Sequence, residues 1–163
     1  IFHKGTEPDF LSDKKNTALE TNNNDSTIGI RLFPDIENTV LRNKAIQFIF
    51  EKLVSYNCIS KNSQQALSDF FTGNVIIERK INWQQPKNTL VYFFNLLDGN
   101  FKTKIKMINT KNKWEIVTTS FTLNGNEISS DNFHRVDTPA YSSRCRHLLE
   151  ELYDELTKKF PRT

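Results

Sequence analysis

Four carboxylates, Glu150, Glu151, Asp154 and Glu155, crowd a short stretch near the end of the chain. Paired acids can act as general acid and base, or hold Mg²⁺. Their spacing favours a plainer role. They fall opposite a leucine stripe, and Asp154–Lys158 and Glu155–Lys159 stand four residues apart. That is the arrangement of ion pairs on a solvated helix face. The histidines, His3, His134 and His147, have no Cys or His at ligand spacing. Ser129 and Ser130 precede His134 without a GxSxG context. Neither GxGxxG nor GxxxxGK[ST] occurs, so no phosphate-cradling loop is present. The expectation is a non-enzymatic protein with no catalytic residue, no metal and no cofactor.

The most unusual charge pattern lies in Asn100–Lys113. Lys102, Lys104, Lys106, Lys111 and Lys113 occur there with no acidic residue, and Phe101, Ile105 and Ile108 are interleaved. Lysines at alternate positions of an extended segment share one side. Such an arm can follow a phosphate backbone and release counterions. A loop, or an edge strand guarded by Lys against aggregation, accounts for the same residues. Both readings stay open.

Charge is unevenly distributed along the chain. Residues 1–40 carry four basic and seven acidic groups, and the remainder carries 18 basic and 12 acidic. The overall +3 therefore hides a moderately basic main part, which permits contact with nucleic acid without requiring it. No apolar run of ~18 residues exists to span a membrane, and a soluble, cytoplasmic protein is expected. Cys58 and Cys145 fit no CxxC or ligand spacing. They form either one disulfide or, preferred here, two free thiols of a reducing compartment.

The elements that position these groups are mainly helical. Residues 1–27 are polar, broken by Gly5, Pro8 and Asn22-Asn23-Asn24-Asp25, and read as an extension. Residues 28–163 read as a single compact domain. Ile28–Phe33 alternates like a short strand. A helix then runs from Ile36 to Tyr56 with Asp35 as N-cap. Its buried face is Val40, Leu41, Ile46, Ile49, Phe50, Leu53 and Val54. A second helix, Ser63–Phe71, stops at Gly73 and completes a hairpin over 36–73. Val75–Trp83 reads as a strand. Pro86 opens a helix carrying Leu90, Val91, Phe93, Phe94 and Leu97, which ends at Asp98-Gly99. Lys113–Leu123 reads as helix by spacing and as strand by its β-branched residues. Asn124-Gly125 is a turn. Ser129 or Ser130 would cap a short helix through Phe133 and Val136. The C-terminal helix, 141–160, carries Cys145, Leu148, Leu149, Leu152, Leu156 and Phe160 on one stripe, and Pro161 ends it. Trp83 and Trp114 fall beside apolar partners and read as core.

Three stretches also carry a resemblance: Lys80-Ile81-Asn82-Trp83, Asn88 to Phe94, and Lys113-Trp114-Glu115-Ile116 with Phe121. The pattern resembles that of uncharacterised bacterial proteins from mobile-element neighbourhoods. It is also similar to the C-terminal part of RteC-like regulators of conjugative-transposon excision. The resemblance covers Val75–Val136 and implies a winged-helix DNA-binding unit. Ile81–Trp83 would be its first strand, Asn88–Leu97 and Lys113–Leu123 its first two helices, and Ser129–Val136 its groove-facing helix. That last segment would offer Asn132, His134 and Arg135 to bases or phosphates.

The expected architecture is thus a helical N-terminal half, a winged-helix-like part over 75–136 and a long C-terminal helix. The expected function is nucleic-acid binding or regulation, linked to a mobile element. Affinity would come from Lys102–Lys113 and specificity from Ser129–Arg135. The alternative is a protein-interaction module or accessory subunit using its N-terminal arm or the region of Phe93 and Phe94.

Overall fold

A computed structural model of the chain describes residues 29–34, 37–74, 78–99, 106–108 and 110–160. The expected extension 1–27, the Asp35 cap, Val75–Ile77 and Pro161 lie outside these residues. The described chain is mainly helical, with one small sheet.

Helix α1 spans Thr39–Ser55 and starts later than expected, because Asn38 is its N-cap. The Asn38 side chain accepts from Leu41 N at 3.1 Å, which satisfies one of the orphan amides of the first turn. The buried stripe is Arg42, Ala45, Ile46, Ile49, Phe50 and Leu53. Val40 lies off this stripe and is 64% exposed, which corrects its expected burial. Arg42 takes the first stripe position, and its guanidinium serves the preceding segment. Nε donates to Leu32 O at 2.7 Å and Nη2 to Phe33 O at 3.1 Å.

A 3₁₀ turn, Lys61–Ser63, leads into α2, Gln64–Thr72, whose C-cap is Gly73 in the left-handed region. Helix α2 packs on α1 as the expected hairpin. The strand expected at 28–33 is not one over its described residues. Its amides bond to a helix end instead: Ile30 N donates to Phe70 O and Leu32 N to Phe71 O. Carbonyls of a last helical turn have no partner inside the helix, and this segment supplies them. Phe33 N donates to Met107 O and closes the segment at its other end.

The sheet is small. Strand β1, Ile81–Trp83, pairs in parallel with β2, Phe121–Leu123, in the register Ile81↔Phe121 and Trp83↔Leu123. Strand β3, Asn126–Glu127, pairs antiparallel with β2 through Leu123↔Asn126. Residues Asn124 and Gly125 link them with φ of 50° and 84°, the signature of a tight type I′ hairpin turn. Asn82 fastens this turn, accepting from Gly125 N and from the Thr122 hydroxyl on one oxygen.

Helix α3, Lys87–Leu97, follows β1 and is buried on nearly every side. It ends at Asp98, as read from the sequence. Helix α4, Lys113–Ser120, runs straight into β2, so the ambiguous segment is helix first and strand second. The Thr118 and Thr119 hydroxyls donate to the Glu115 carbonyl, a bonding pattern that slightly weakens helices. Phe121 then turns extended and enters the core. Helix α5, Arg144–Lys159, is capped by Ser143 and packs against α1 and α3.

The core is strongly aromatic. Phe70 meets Phe71, Phe94 and Phe121 edge-on at 5.1, 5.6 and 5.3 Å. Trp83 stacks on Phe93 at 5.9 Å, and its indole N–H donates to the Thr89 hydroxyl. These rings join α2, the sheet and α3 in a single cluster. Each fully buried Phe contributes about 2–3 kcal/mol through area removed from water.

Candidate nucleic-acid interface

The residues 128–143 hold no helix. The helix expected over Ser129–Val136 is replaced by a turn at Asp131–His134, in which Asn132 has φ of 57°. One left-handed residue breaks a helical run. Ser129 Oγ accepts from Asp131 N, a local bond that competes with helix formation. The turn drives Phe133 fully inside and leaves Asn132, His134 and Arg135 exposed.

Phe133 is the anchor. Its ring lies 5.8 Å from the Trp114 ring in the first turn of α4. Trp114 is half-buried rather than fully in the core. His134 lies flat upon it, with centroids 6.1 Å apart and planes inclined by 14°. Two ammonium groups complete the assembly. Lys87 Nζ stands 5.4 Å from the Phe133 ring, and Lys113 Nζ stands 4.4 Å from the Trp114 ring. Beside it, a cavity of about 180 Å³ opens between α3 and residues 134–139. Asn88, Tyr92, Asn95, His134 and Asp137 are among its walls.

Of the expected lysine arm, Lys102 and Lys104 lie outside the described residues. Lys106 and Lys111 are exposed. Lys113 is not available to a phosphate. It is buried and donates to Asp98 at 2.9 Å and Asn95 at 3.1 Å, fixing the start of α4 to the end of α3. Lys87 carries no signal in the sequence for its place over Phe133, and Trp114, expected in the core, is only half-buried. The i,i+3 spacing of Trp114 and Val117 signalled a buried face but could not show how far the ring would be covered.

The carboxylate cluster also needs correction. Glu150 is buried rather than on a solvated face. It accepts from the Tyr92 hydroxyl and from Arg146 Nε, and Arg146 also donates to Pro139 O. Glu155 pairs with Lys52 of α1. The pairs Asp154–Lys158 and Glu155–Lys159 do not form among the described residues. Burial of its ring and the bond to Glu150 push the Tyr92 hydroxyl up to about 12. His147 is exposed, edge-on to Tyr141.

Larger grooves flank α1. The one beside α2 is lined by amides, including Gln47 and Gln64, which already bond to each other and to Glu51. Among the described residues, no group of three His, Cys, Asp or Glu side chains could hold a metal ion, and no helix is long and apolar enough to cross a membrane. Comparison with protein-family models, curated proteins and solved structures found no match.

Proposed function

We propose that this chain is a non-enzymatic regulatory protein that binds nucleic acid through the Trp114–His134 stack. The observation supporting this reading is the exposed His134 ring laid flat on a half-buried Trp114. Aromatic planes stack bases of any sequence, each adding roughly 1–3 kcal/mol. Lys87 lies over the neighbouring Phe133 ring, Lys111 and Arg135 are exposed close to Trp114 and His134 in the chain, and these three would meet phosphates. Asp131 and Asp137 lie close by in the chain, so stacking rather than bulk charge carries the affinity. Stacking requires an unpaired base, and single strands are the preferred ligand.

A winged-helix reading is the alternative, and it predicts duplex binding in preference to single strands. β1, α3, α4 and the β2–β3 hairpin follow one another in sequence. In that reading α4 takes the place of the groove-facing helix, and the Asn124-Gly125 turn becomes the wing. The resemblance to RteC-like regulators would extend the role to control of a mobile element.

Fluorescence anisotropy with labelled single-stranded DNA, single-stranded RNA and duplex tests the reading. Measured at about 50 and about 200 mM salt, single strands should bind best, with an affinity that falls as salt rises. Trp83 is fully buried, so quenching of indole emission would report Trp114. No binding to any of the three at low salt, or binding unchanged by His134→Ala, would overturn the proposal.

A further inference from the structure

The cavity of about 180 Å³ between α3 and residues 134–139 is small. It suits a single planar ring system, since pockets for drug-sized ligands run to ~300–1,000 Å³. Val91, Val136 and Pro139 give it apolar walls, and Asn88, His134 and Asp137 give it polar ones. The walls are preset. Val91 is buried in a helix that is itself covered on nearly every side. The Pro139 carbonyl accepts from Arg146 of α5 at 2.9 Å, and Arg146 Nε donates to Glu150 at 3.1 Å. Glu150 accepts in turn from the Tyr92 hydroxyl of α3. This chain of bonds ties residue 139 to α5 and α5 to α3, so the two sides of the cavity are held in place.

Its polar groups are not consumed by the fold. Among the described residues, neither the Asn88 amide nor the Asp137 carboxylate has a hydrogen-bond or ion-pair partner. Asn88 is half-buried in the first turn of α3, and Asp137 is exposed. His134 belongs both to this cavity and to the stack on Trp114. A strand with one base on the stack therefore has a neighbouring base beside the cavity. Proteins read such unstacked bases through their hydrogen-bonding edges. A carboxylate only accepts, and its two oxygens accept side by side. Guanine alone among the common bases presents two adjacent N–H donors, at N1 and N2, with the O6 acceptor next to them. Adenine and cytosine set a ring lone pair beside their amino group, which a carboxylate repels. Thymine and uracil offer one N–H between two carbonyls.

We propose that this cavity is a guanine pocket, in which Asp137 accepts from guanine N1–H and N2–H and the Asn88 amide donates to O6. The proposal rests on the reading of the Trp114–His134 stack as a base platform, and it adds a base preference to it. The same base reaches the pocket from a single strand or from a free nucleotide, and experiment separates the two sources.

In the first arm, the monophosphates of guanosine, inosine, adenosine and cytidine are titrated into the isotope-labelled full chain and followed by NMR. Guanosine monophosphate should bind about 10- to 100-fold tighter than the adenosine and cytidine compounds, the range set by one bidentate pair. It should shift the Asn88 side-chain amide and the backbone amides of residues 134–138. Inosine monophosphate, which lacks the amino group at N2, should fall between. In the second arm, anisotropy compares a thymine-only single strand with the same strand carrying one central guanine. The guanine strand should bind about tenfold tighter. Asp137→Asn turns one acceptor into a donor and should reduce the guanine preference to within about twofold in both arms. Asp137 is exposed and unpaired among the described residues, so Tm should not move and the variant should fold. No guanine preference in either arm, or a preference that survives Asp137→Asn, would overturn the pocket. Thymine-strand binding that persists in that case leaves the Trp114–His134 reading standing. Guanosine monophosphate preferred while no strand binds would remove that reading and assign the pocket to a free nucleotide.

Discussion

Gly29 and Gly73 meet backbone to backbone: a Cβ on Gly29 would stand 2.9 Å from Gly73 Cα and 3.0 Å from the Phe70 carbonyl oxygen. Gly29 also has φ of 132°. This approach brings residues 29–34 within reach of the end of α2, where Ile30 and Leu32 donate to Phe70 and Phe71.

Gly29→Ala should therefore cost about 2–3 kcal/mol, from strain at positive φ and from a clash with backbone that cannot yield. Gly125→Ala is the control. Its φ is 84°, but a Cβ there meets nothing within 4 Å, so the cost should be about 1 kcal/mol. Urea denaturation of both variants measures the difference. Equal losses would show that the Gly29–Gly73 contact is not tight.

Tyr92→Phe should destabilise the fold by about 2 kcal/mol, because it takes a donor from a buried carboxylate. Glu150 keeps its bond to Arg146, so the chain should still fold. Thermal melts would register this as a lower Tm with an unchanged far-ultraviolet spectrum.

Stability should fall with rising alkalinity through the same residue. Tyr92 and Tyr56 are both raised from 10.0 to about 12, with burial the largest cause in each. The native state holds both protons more tightly than the unfolded chain does. Their stabilising effect is complete below pH 10 and is lost as pH climbs through about 12. Urea midpoints taken across that window should decline, and less steeply in Tyr92→Phe than in the unsubstituted chain.

At neutral pH, Tyr56 should behave unlike Tyr92. Its hydroxyl is buried and has no hydrogen-bond partner among the described residues. Tyr56→Phe removes an unsatisfied polar group and should be neutral or stabilising by about 0.5–1 kcal/mol. A clear loss of stability in a urea titration would contradict this.

Lys111 and Lys113 are two residues apart and should respond oppositely. Lys113→Ala removes the ammonium that donates to Asp98 and Asn95 and should cost about 1–3 kcal/mol of stability. Lys111→Ala, at an exposed position, should leave Tm unchanged while lowering the salt slope of nucleic-acid binding by about 1. His134→Ala should weaken binding roughly tenfold through the lost stacking surface. Paired melting and anisotropy measurements separate the three.

Features that depend on neighbours along the chain are legible in the sequence. The leucine stripe of α5, the stop of α2 at Gly73, the end of α3 at Asp98 and the Asn124-Gly125 turn are all readable there. Each follows from backbone preference or a helical period, which act over a few residues. The strand expected at 28–33 and the helix expected at 129–136 failed because distant groups compete for their backbone. The end of α2 takes the amides of the first, and the pull of Phe133 toward Trp114 shapes the second. Side-chain roles were less legible still. Glu150 and Lys113 look like surface charges until α3 is laid beside them, and then each is buried with a partner. The fold across the core settles both, because burial and charge pairing depend on groups far away in the chain.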